Sequence, residues 1–462
     1  MSDTAAHPQG SAFLAALLVV PLASFATPFL ASSINVALPA IAAEYRLDAI
    51  TLGWFNTAYF LSASVLMLPL SRLADILGRR RFFLIGVALL ALSCFALPLA
   101  DSGPGLIGLR LIQGVAGAFI FATSHAIMVS VAPPEKRGRA IGINITAVYV
   151  GMTCGPVIGG ILTYQVGWRS LFYLSGVISA TALLLCARHV RGEWAEARGE
   201  RFDILGSLLL IGGLGALILA SGGAGISRVL VGLLLLAAFF LHQRRTPSPL
   251  LDLDLLTRNP GVAAATGSAL ALYCGTFGVG FLLSLYLQYA RGLNPQQAGL
   301  VLLAQPVAQV FLAALAGRLS DSWQPRTLTT LGGGLCAAGV AVLAVTVGAA
   351  GTASVTLGLV LLGAGIACFS PPNATAALSA VAPRQVGVTG GLLQTMRLIG
   401  QMSSMGIVLL VFVMVLGSGA DLAQTDPATL HTTLALAYWP FFALCAVAAL
   451  VSRIRPTRKP LA

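Results

Sequence analysis

Residues Ser71–Arg81 read SRLADILGRRR, and residues 317–321 read GRLSD. Each string interrupts apolar sequence, and the two lie 246 residues apart. The same offset pairs Gly53 with Gly299, near the start of the preceding apolar run. Further on, VAP at 131–133 is matched by VAP at 381–383, at an offset of 250. Short strings coincide by chance. Strings that coincide in register, between the same runs, point to a duplicated multi-helix unit.

The nature of the runs follows from composition. Of 462 residues, 57% are hydrophobic and 9% charged. A soluble domain carries about 25% charged residues, so lipid must be the solvent for most of this surface. A spanning helix needs about 20 mainly apolar residues. Fourteen stretches qualify: 13–41, 50–70, 82–100, 105–132, 140–163, 169–188, 204–222, 227–242, 261–289, 296–316, 327–348, 353–377, 388–417 and 433–452. The expected fold class is an all-α polytopic membrane protein with 14 transmembrane helices. Residues 1–190 form one six-helix half, 191–258 a connector with an inserted helix pair, and 259–462 the second half. The inserted pair, 204–222 and 227–242, accounts for a repeat offset near 250; without it 12 helices would remain in the same orientation.

Basic residues test that register, because cationic loops stay in the cytoplasm. Of the 27 Lys and Arg, 21 fall on the side of the 71–81 string and four (Arg46, Arg169, Arg228, Arg291) on the other. Arg110 and Arg397 lie inside helices. Both termini are therefore expected in the cytoplasm. Residues 1–12 contain no Lys or Arg, and the apolar run after them is far longer than that of a signal peptide. It is expected to be a first membrane helix. The net charge of +12 resides in these short loops, so it reads as topology and not as a nucleic-acid surface. Cys94, Cys154, Cys186, Cys274, Cys336, Cys368 and Cys445 all lie in apolar runs without metal-ligand spacing, as small packing residues do. Only Lys136 and Lys459 are lysine, which with abundant Ala, Gly and Leu suggests a GC-rich bacterial genome and hence a bacterial cytoplasmic membrane.

Three strings carry more specific chemistry. In SRLADILGRRR, Gly78 permits a tight reversal, and Asp75 can pair with the nearby arginines or sit at a helix N-terminus. A positive-inside anchor explains the arginines alone. It does not explain the Gly and Asp spacing, or the second copy with Arg318 and Asp321. The string resembles the signature loop of the major facilitator superfamily, G-x-L-A-D-R-x-G-R-R, with Ser71 and Ile76 as departures. In that family the loop latches the two halves in one of the alternating states. The resemblance thus implies the major facilitator fold and a gating role for Arg72, Asp75, Gly78, Arg79, Arg80, Arg318 and Asp321.

Helix 4 contains RLIQGVAGA, Arg110–Ala118. A charge inside a membrane helix costs about 3 kcal/mol and needs a partner or a wet cavity. Gln113 lies three residues on, along the same face, and Gly114 and Gly117 allow close helix contact. The plainer reading is an arginine near the helix end that reaches up to the headgroups. The string resembles the family's helix-4 motif, whose arginine is linked to proton coupling. Helix 5 contains GMTCGPVIGG, in which Gly151, Gly155 and Gly159 form one smooth face and Pro156 kinks the helix. Gly160 completes the match to G-x-x-x-G-P-x-x-G-G, the antiporter motif of proton-driven drug exporters. Further matches to the 14-helix drug:proton antiporter branch are NVALP at 35–39, WR at 168–169, FDILG at 202–206, YLQY at 286–289, SPPN at 370–373 and RLIG at 397–400.

One departure bears on mechanism. The branch usually carries an acid five residues before the Asn of NVALP, and here that position is Leu30. All 15 Asp and Glu lie in tails, loops or helix ends by the spans above. Coupling then falls to a helix-end carboxylate such as Asp75, to His125, or to an anionic substrate balanced by Arg110 and Arg397. Arg397 is the better placed of the two, about ten residues into its helix. Polar residues at mid-helix usually face the interior, which makes Asn35, Tyr59, Asn144, Tyr149, Tyr273, Gln288, Asn373 and Gln394 cavity candidates. The expected function is a secondary transporter, a proton-coupled exporter of small lipophilic or amphiphilic molecules. The alternative is an organic-anion or metabolite carrier. No Walker A, H-E-x-x-H or G-x-S-x-G string occurs, so neither ATP drive nor a membrane-embedded enzyme is expected. No cofactor or metal is called for. The expected partners are the bilayer, a small molecule and protons, and nothing identifies a periplasmic adaptor.

Overall fold

A computed structural model describes residues 7–133, 136–190, 192–223, 225–320, 323–346, 351–382, 385–417 and 419–454. Asp321, and Arg191, Arg384, Arg455, Arg458 and Lys459 among the counted cations, lie outside the described residues. The described residues are all-helical, as expected where backbone groups can find no partner in lipid. The first six helices are α1 (His7–Tyr45), α2 (Ala49–Leu77), α3 (Arg79–Ala96), α4 (Gly103–Val131), α5 (Arg137–Gln165) and α6 (Arg169–His189). The inserted pair is α7 (Ile204–Ser221) and α8 (Ile226–Gln243), and a short α9 (Leu253–Thr257) follows. The second half comprises α10 (Pro260–Leu285), α11 (Pro295–Leu302), α12 (Ala304–Ser320), α13 (Pro325–Thr346), α14 (Thr352–Leu378), α15 (Val386–Val415) and α16 (Pro427–Ile454). Fourteen helical segments are long and apolar enough to cross a membrane, at the expected places.

Helix ends differ from the hydropathy boundaries where polar groups cap them. Asp48 caps α2 by accepting from Thr51 N at 2.9 Å, and Asn294 and Gln297 form a reciprocal box at the start of α11. The expected single span at 296–316 is two helices, parted at Leu303. Pro306 has no N–H for the carbonyl of Leu302, so the ladder breaks there. The expected loop at 71–81 is a single residue: α2 continues to Leu77, α3 begins at Arg79, and Gly78 turns the chain at φ +122°. An added Cβ at Gly78 would stand 2.4 Å from Glu193 Cδ, so backbone angle and space both demand glycine.

The bundle has two ends, named here for Arg79 and for Arg169. At the Arg169 end the halves are sealed together. Ala49 N donates to Ala420 O at 2.9 Å, and Gly419 N donates to Asp48 Oδ2 at 3.1 Å. Ser284 Oγ donates to Asn35 O at 2.5 Å, and Gln288 Nε2 donates to Val36 O at 3.0 Å. Small residues let the backbones touch: a Cβ at Gly299 would lie 2.2 Å from Pro156 O, and one at Gly160 would lie 2.6 Å from Pro295 O. At the Arg79 end, α4 does not pack on α15 nor α5 on α14 in any comparable way. Added Cβ atoms at Gly138, Gly142, Gly387 and Gly391 would meet nothing within 4 Å.

Candidate substrate cavity and gating elements

Between the halves, near the middle of the helices, lies a cavity of about 150 Å3. Both halves line it. Asn35, Tyr59, Tyr149, Tyr273 and Gln394 stand on its wall, together with Arg397 and Pro156. Asn144, Gln288, Asn373 and His125 do not line it. Asn144 is fully buried within the helix packing, with neither amide atom paired among the described residues. Asn373 Nδ2 donates to Ala265 O at 2.9 Å, tying α14 to α10. Gln288 belongs to a π-helical turn, Tyr286–Ala290, that ends α10 and carries its amide across to α1 at the seam. His125 is half-buried on α4, its Nδ1 3.4 Å from Ser124 Oγ. Leu30, at the branch's acid position, is buried and also off the cavity wall.

Sequence reasoning missed much of the lining. Phe60 from α2 and Phe277 from α10 meet edge to face across the halves, ring centroids 4.4 Å apart. Phe121, Met152, Gln305, Gln309 and Gln401 complete a wall that alternates aromatic rings with carboxamides. A polarity filter could have found the glutamines; nothing in the sequence separates Phe60 or Phe277 from the lipid-facing phenylalanines.

The two intramembrane arginines differ. Arg110 is fully buried inside its own half, which rules out the reach to the headgroups. Its Nε donates to Phe55 O at 3.2 Å and its Nη1 to Gln113 Oε1 at 2.8 Å. The guanidinium lies over the Tyr59 ring at 4.8 Å and near Phe55 at 5.3 Å. A Cβ at Gly114 would meet Tyr59 O at 2.2 Å, and one at Gly117 would meet Tyr59 Oη at 2.7 Å. The glycines of RLIQGVAGA therefore bring α2 close enough for Tyr59 to stand between Arg110 and the cavity. Arg397 lies on the wall itself, over the Tyr273 ring at 5.2 Å; its Nε, like Nη2 of Arg110, has no hydrogen-bond partner among the described residues. Tyr273 Oη is held 3.0 Å from Ser370 Oγ. Among the described residues no carboxylate lines the cavity.

The antiporter string divides its labour. Gly151, Gly155 and Gly159 seat α1: added Cβ atoms would stand 2.5 Å from Phe25 O, 1.8 Å from Ser32 Oγ and 2.6 Å from Ser33 Cβ. Pro156 and Gly160 face α11 of the other half at the seam. The 71–81 string binds the connector. Arg79 Nε donates to Asp75 Oδ1 at 2.7 Å, and its Nη1 and Nη2 donate to Glu196 at 2.7 and 2.8 Å. Arg80 N donates to Glu193 Oε1 at 2.8 Å, Ala197 N donates to Asp75 O at 3.0 Å, and Arg72 pairs with Glu200. In this state the partners seen for the string are its own half and the connector. Arg318 is exposed at the end of α12.

Two of the shorter matches have plain structural roles. Glu44 accepts from Trp168 Nε1 at 2.7 Å and from both Arg169 terminal nitrogens at 2.8 and 2.5 Å, clasping α1 to α6. Asp203 of FDILG caps α7 through Gly206 N at 2.8 Å and accepts from Gln243 Nε2 at 2.7 Å, with His242 Nε2 2.8 Å away. Burial of Asp203 opposes its charge, but these donors outweigh burial and hold its carboxyl below the usual value.

Two facing halves, a cavity between them and a seam that closes one end are the architecture of a membrane transporter. Residues 21–405 match the family model described as Major Facilitator Superfamily, and the chain belongs to that family. It is 32% identical to the multidrug resistance protein Stp of Mycobacterium tuberculosis over 415 residues, 86% of this chain and 76% of the relative. It is 28% identical to the riboflavin transporter RibZ of Clostridioides difficile over 384 residues, 82% of this chain and 84% of the relative. Among solved structures, a bacterial homologue of the human lysosomal transporter Spinster superposes with a TM-score of 0.68 at 16% identity, covering 98% of this chain and 97% of that one.

Proposed function

We propose that this chain is a secondary transporter of the bacterial cytoplasmic membrane that exports small lipophilic or amphiphilic compounds. The observation that carries the reading is the cavity shared by both halves, sealed at the Arg169 end and lined by rings and carboxamides. Such a wall takes flat apolar molecules by stacking and selects among them by a few hydrogen bonds. The Arg79 end, rich in basic residues, is assigned to the cytoplasm with both termini, so the cavity faces the side from which cargo leaves. Relatives named for drug resistance support export, and one named for riboflavin suits a flat aromatic cargo.

Export by alternating access requires the Arg169-end seam to part and close again. Gly299→Val places side-chain atoms where Pro156 O now lies, 2.2 Å from the Cβ position, so the seam cannot close. The variant should lose transport in drug-accumulation assays and gain labelling of a cysteine at Asn35 by an impermeant maleimide from outside. Normal transport with the valine in place would refute this gate. The proton coupling implied by the antiporter string has no acid on the cavity wall to act through.

A further inference from the structure

The cavity has a charge balance that differs from the rest of the molecule. Elsewhere, arginines near acids are paired with them: Arg79 with Asp75 and Glu196, Arg169 with Glu44, Arg72 with Glu200. On the cavity wall one full charge stands alone. Arg397 lies over Tyr273 and shares the cavity wall with Gln394, Gln401 and the α12 carboxamides Gln305 and Gln309. None of these is an anion. The nearest cation behind the wall, Arg110, adds to the positive potential through Tyr59. Among the described residues the acids sit at helix ends or in loops, and none lines the cavity.

A guanidinium in a low-dielectric site is expensive unless something compensates it. Arg110 has a carbonyl, a carboxamide and two rings around it, with its Nη2 left without a hydrogen-bond partner among the described residues. Arg397 Nε is likewise without a partner among the described residues, and Arg397, unlike Arg110, stands on the cavity wall. A planar donor set facing a cavity is suited to a planar or tetrahedral oxyanion. The rings beside it, Tyr273, Phe277 and Phe60, are suited to an aromatic body.

We propose that the cavity binds an amphiphilic aromatic anion, with Arg397 as its charge ligand, and that the membrane potential drives its export. The proposal rests on the export reading above and supplies its substrate class and energy source. An anion that leaves an inside-negative cell runs downhill electrically, so no titrating carboxylate is needed. Each net negative charge moved out gains about 2.3 kcal/mol per 100 mV, which sustains a gradient of about 50-fold. The missing acid at Leu30 and the lone cation at Arg397 then have one explanation. A cation exporter working against that potential would need the proton-binding carboxylate this wall does not hold.

The test uses the full chain, purified and reconstituted in liposomes, with three naphthalenes of equal shape: 1-naphthalenesulfonate, 1-naphthalenesulfonamide and trimethyl-1-naphthylammonium. The sulfonate should bind at least tenfold more tightly than the ammonium in calorimetry. A lumen-positive potassium diffusion potential should accelerate its entry, and an imposed pH gradient at zero potential should not. Arg397→Gln should weaken sulfonate binding by about ten- to a hundredfold, the weight of a charge-assisted hydrogen bond, with an unchanged melting temperature. Arg397→Lys should restore part of it. Equal or tighter binding of the ammonium, full sulfonate binding by Arg397→Gln, or drive by the pH gradient alone would overturn the proposal. If the sulfonamide or ammonium is moved and the sulfonate is not, export stands and the anion reading falls. If none of the three is moved, both fall.

Discussion

Arg110 and Arg397 are both arginines within apolar helices, one in each half, and both lie over a tyrosine ring. The first is enclosed on every side by its own half, with a carbonyl and a carboxamide as acceptors. The second faces the space between the halves; each leaves one buried nitrogen without a hydrogen-bond partner among the described residues. The same residue type at similar depth thus serves packing in one place and an open site in the other. What differs is whether the side chain is enclosed within one half or stands on the cavity wall. A charge enclosed by the acceptors and rings of its own half ties that half together, and one on the cavity wall is open to a ligand.

The sharpest way to break that contrast is to truncate each arginine. Arg110→Ala removes a fully buried side chain and strands Gln113 Oε1, and should cost on the order of 3 kcal/mol. Arg397→Ala opens more room in an existing cavity and should cost less than about 1 kcal/mol of stability. Thermal melting in detergent compares them; equal losses would mean that Arg397 is structural too. Next in size, Gln394→Glu places a carboxylate one helical turn from Arg397 on the cavity wall. It should reduce sulfonate affinity about tenfold and raise ammonium affinity, as judged by the same calorimetry. A variant with unaltered charge preference would detach the cavity's selectivity from Arg397.

The smaller effects lie outside the membrane. Glu196 is two-thirds exposed, so Glu196→Gln should cost only about 0.5 kcal/mol although it ends a two-pronged contact with Arg79. A loss as large as that from Arg110→Ala would show the connector to be as integral as the half it straps. Asp203 has its carboxyl held below the ordinary value, so its contribution is fully present above about pH 4, the usual carboxylate value. That contribution should fade as pH falls through the lower folded value. Melting curves between pH 5 and pH 3 should therefore converge for wild type and Asp203→Asn, and a constant gap down to pH 3 would refute the assignment.

Much of the cavity was legible by polarity alone. Asn35, Tyr59, Tyr149, Tyr273, Gln394 and Arg397 are polar groups at mid-helix, and the interior is the only place for them. Asn144, Gln288 and Asn373 satisfied the same rule and went elsewhere, to helix packing, the seam and a cross-helix tie. Interior in a carrier means three places, and polarity does not distinguish them. Phe60 and Phe277 were illegible for the opposite reason, because an aromatic side chain is equally at home in lipid, in packing or on the wall.

The sequence by itself determined the number of spans, and from it come the expected duplication, inserted pair and orientation. Lipid enforces these through segment length and loop charge, which are local properties. Only the tertiary structure decided which end is sealed, that the span at 296–316 parts at Leu303, that the 71–81 string is a one-residue turn strapped by the connector, and which arginine is left open. In a soluble helix the apolar face marks the core. In this bundle lipid and neighbouring helices are both apolar, so the direction in which a side chain points is settled by packing between helices far apart in the chain.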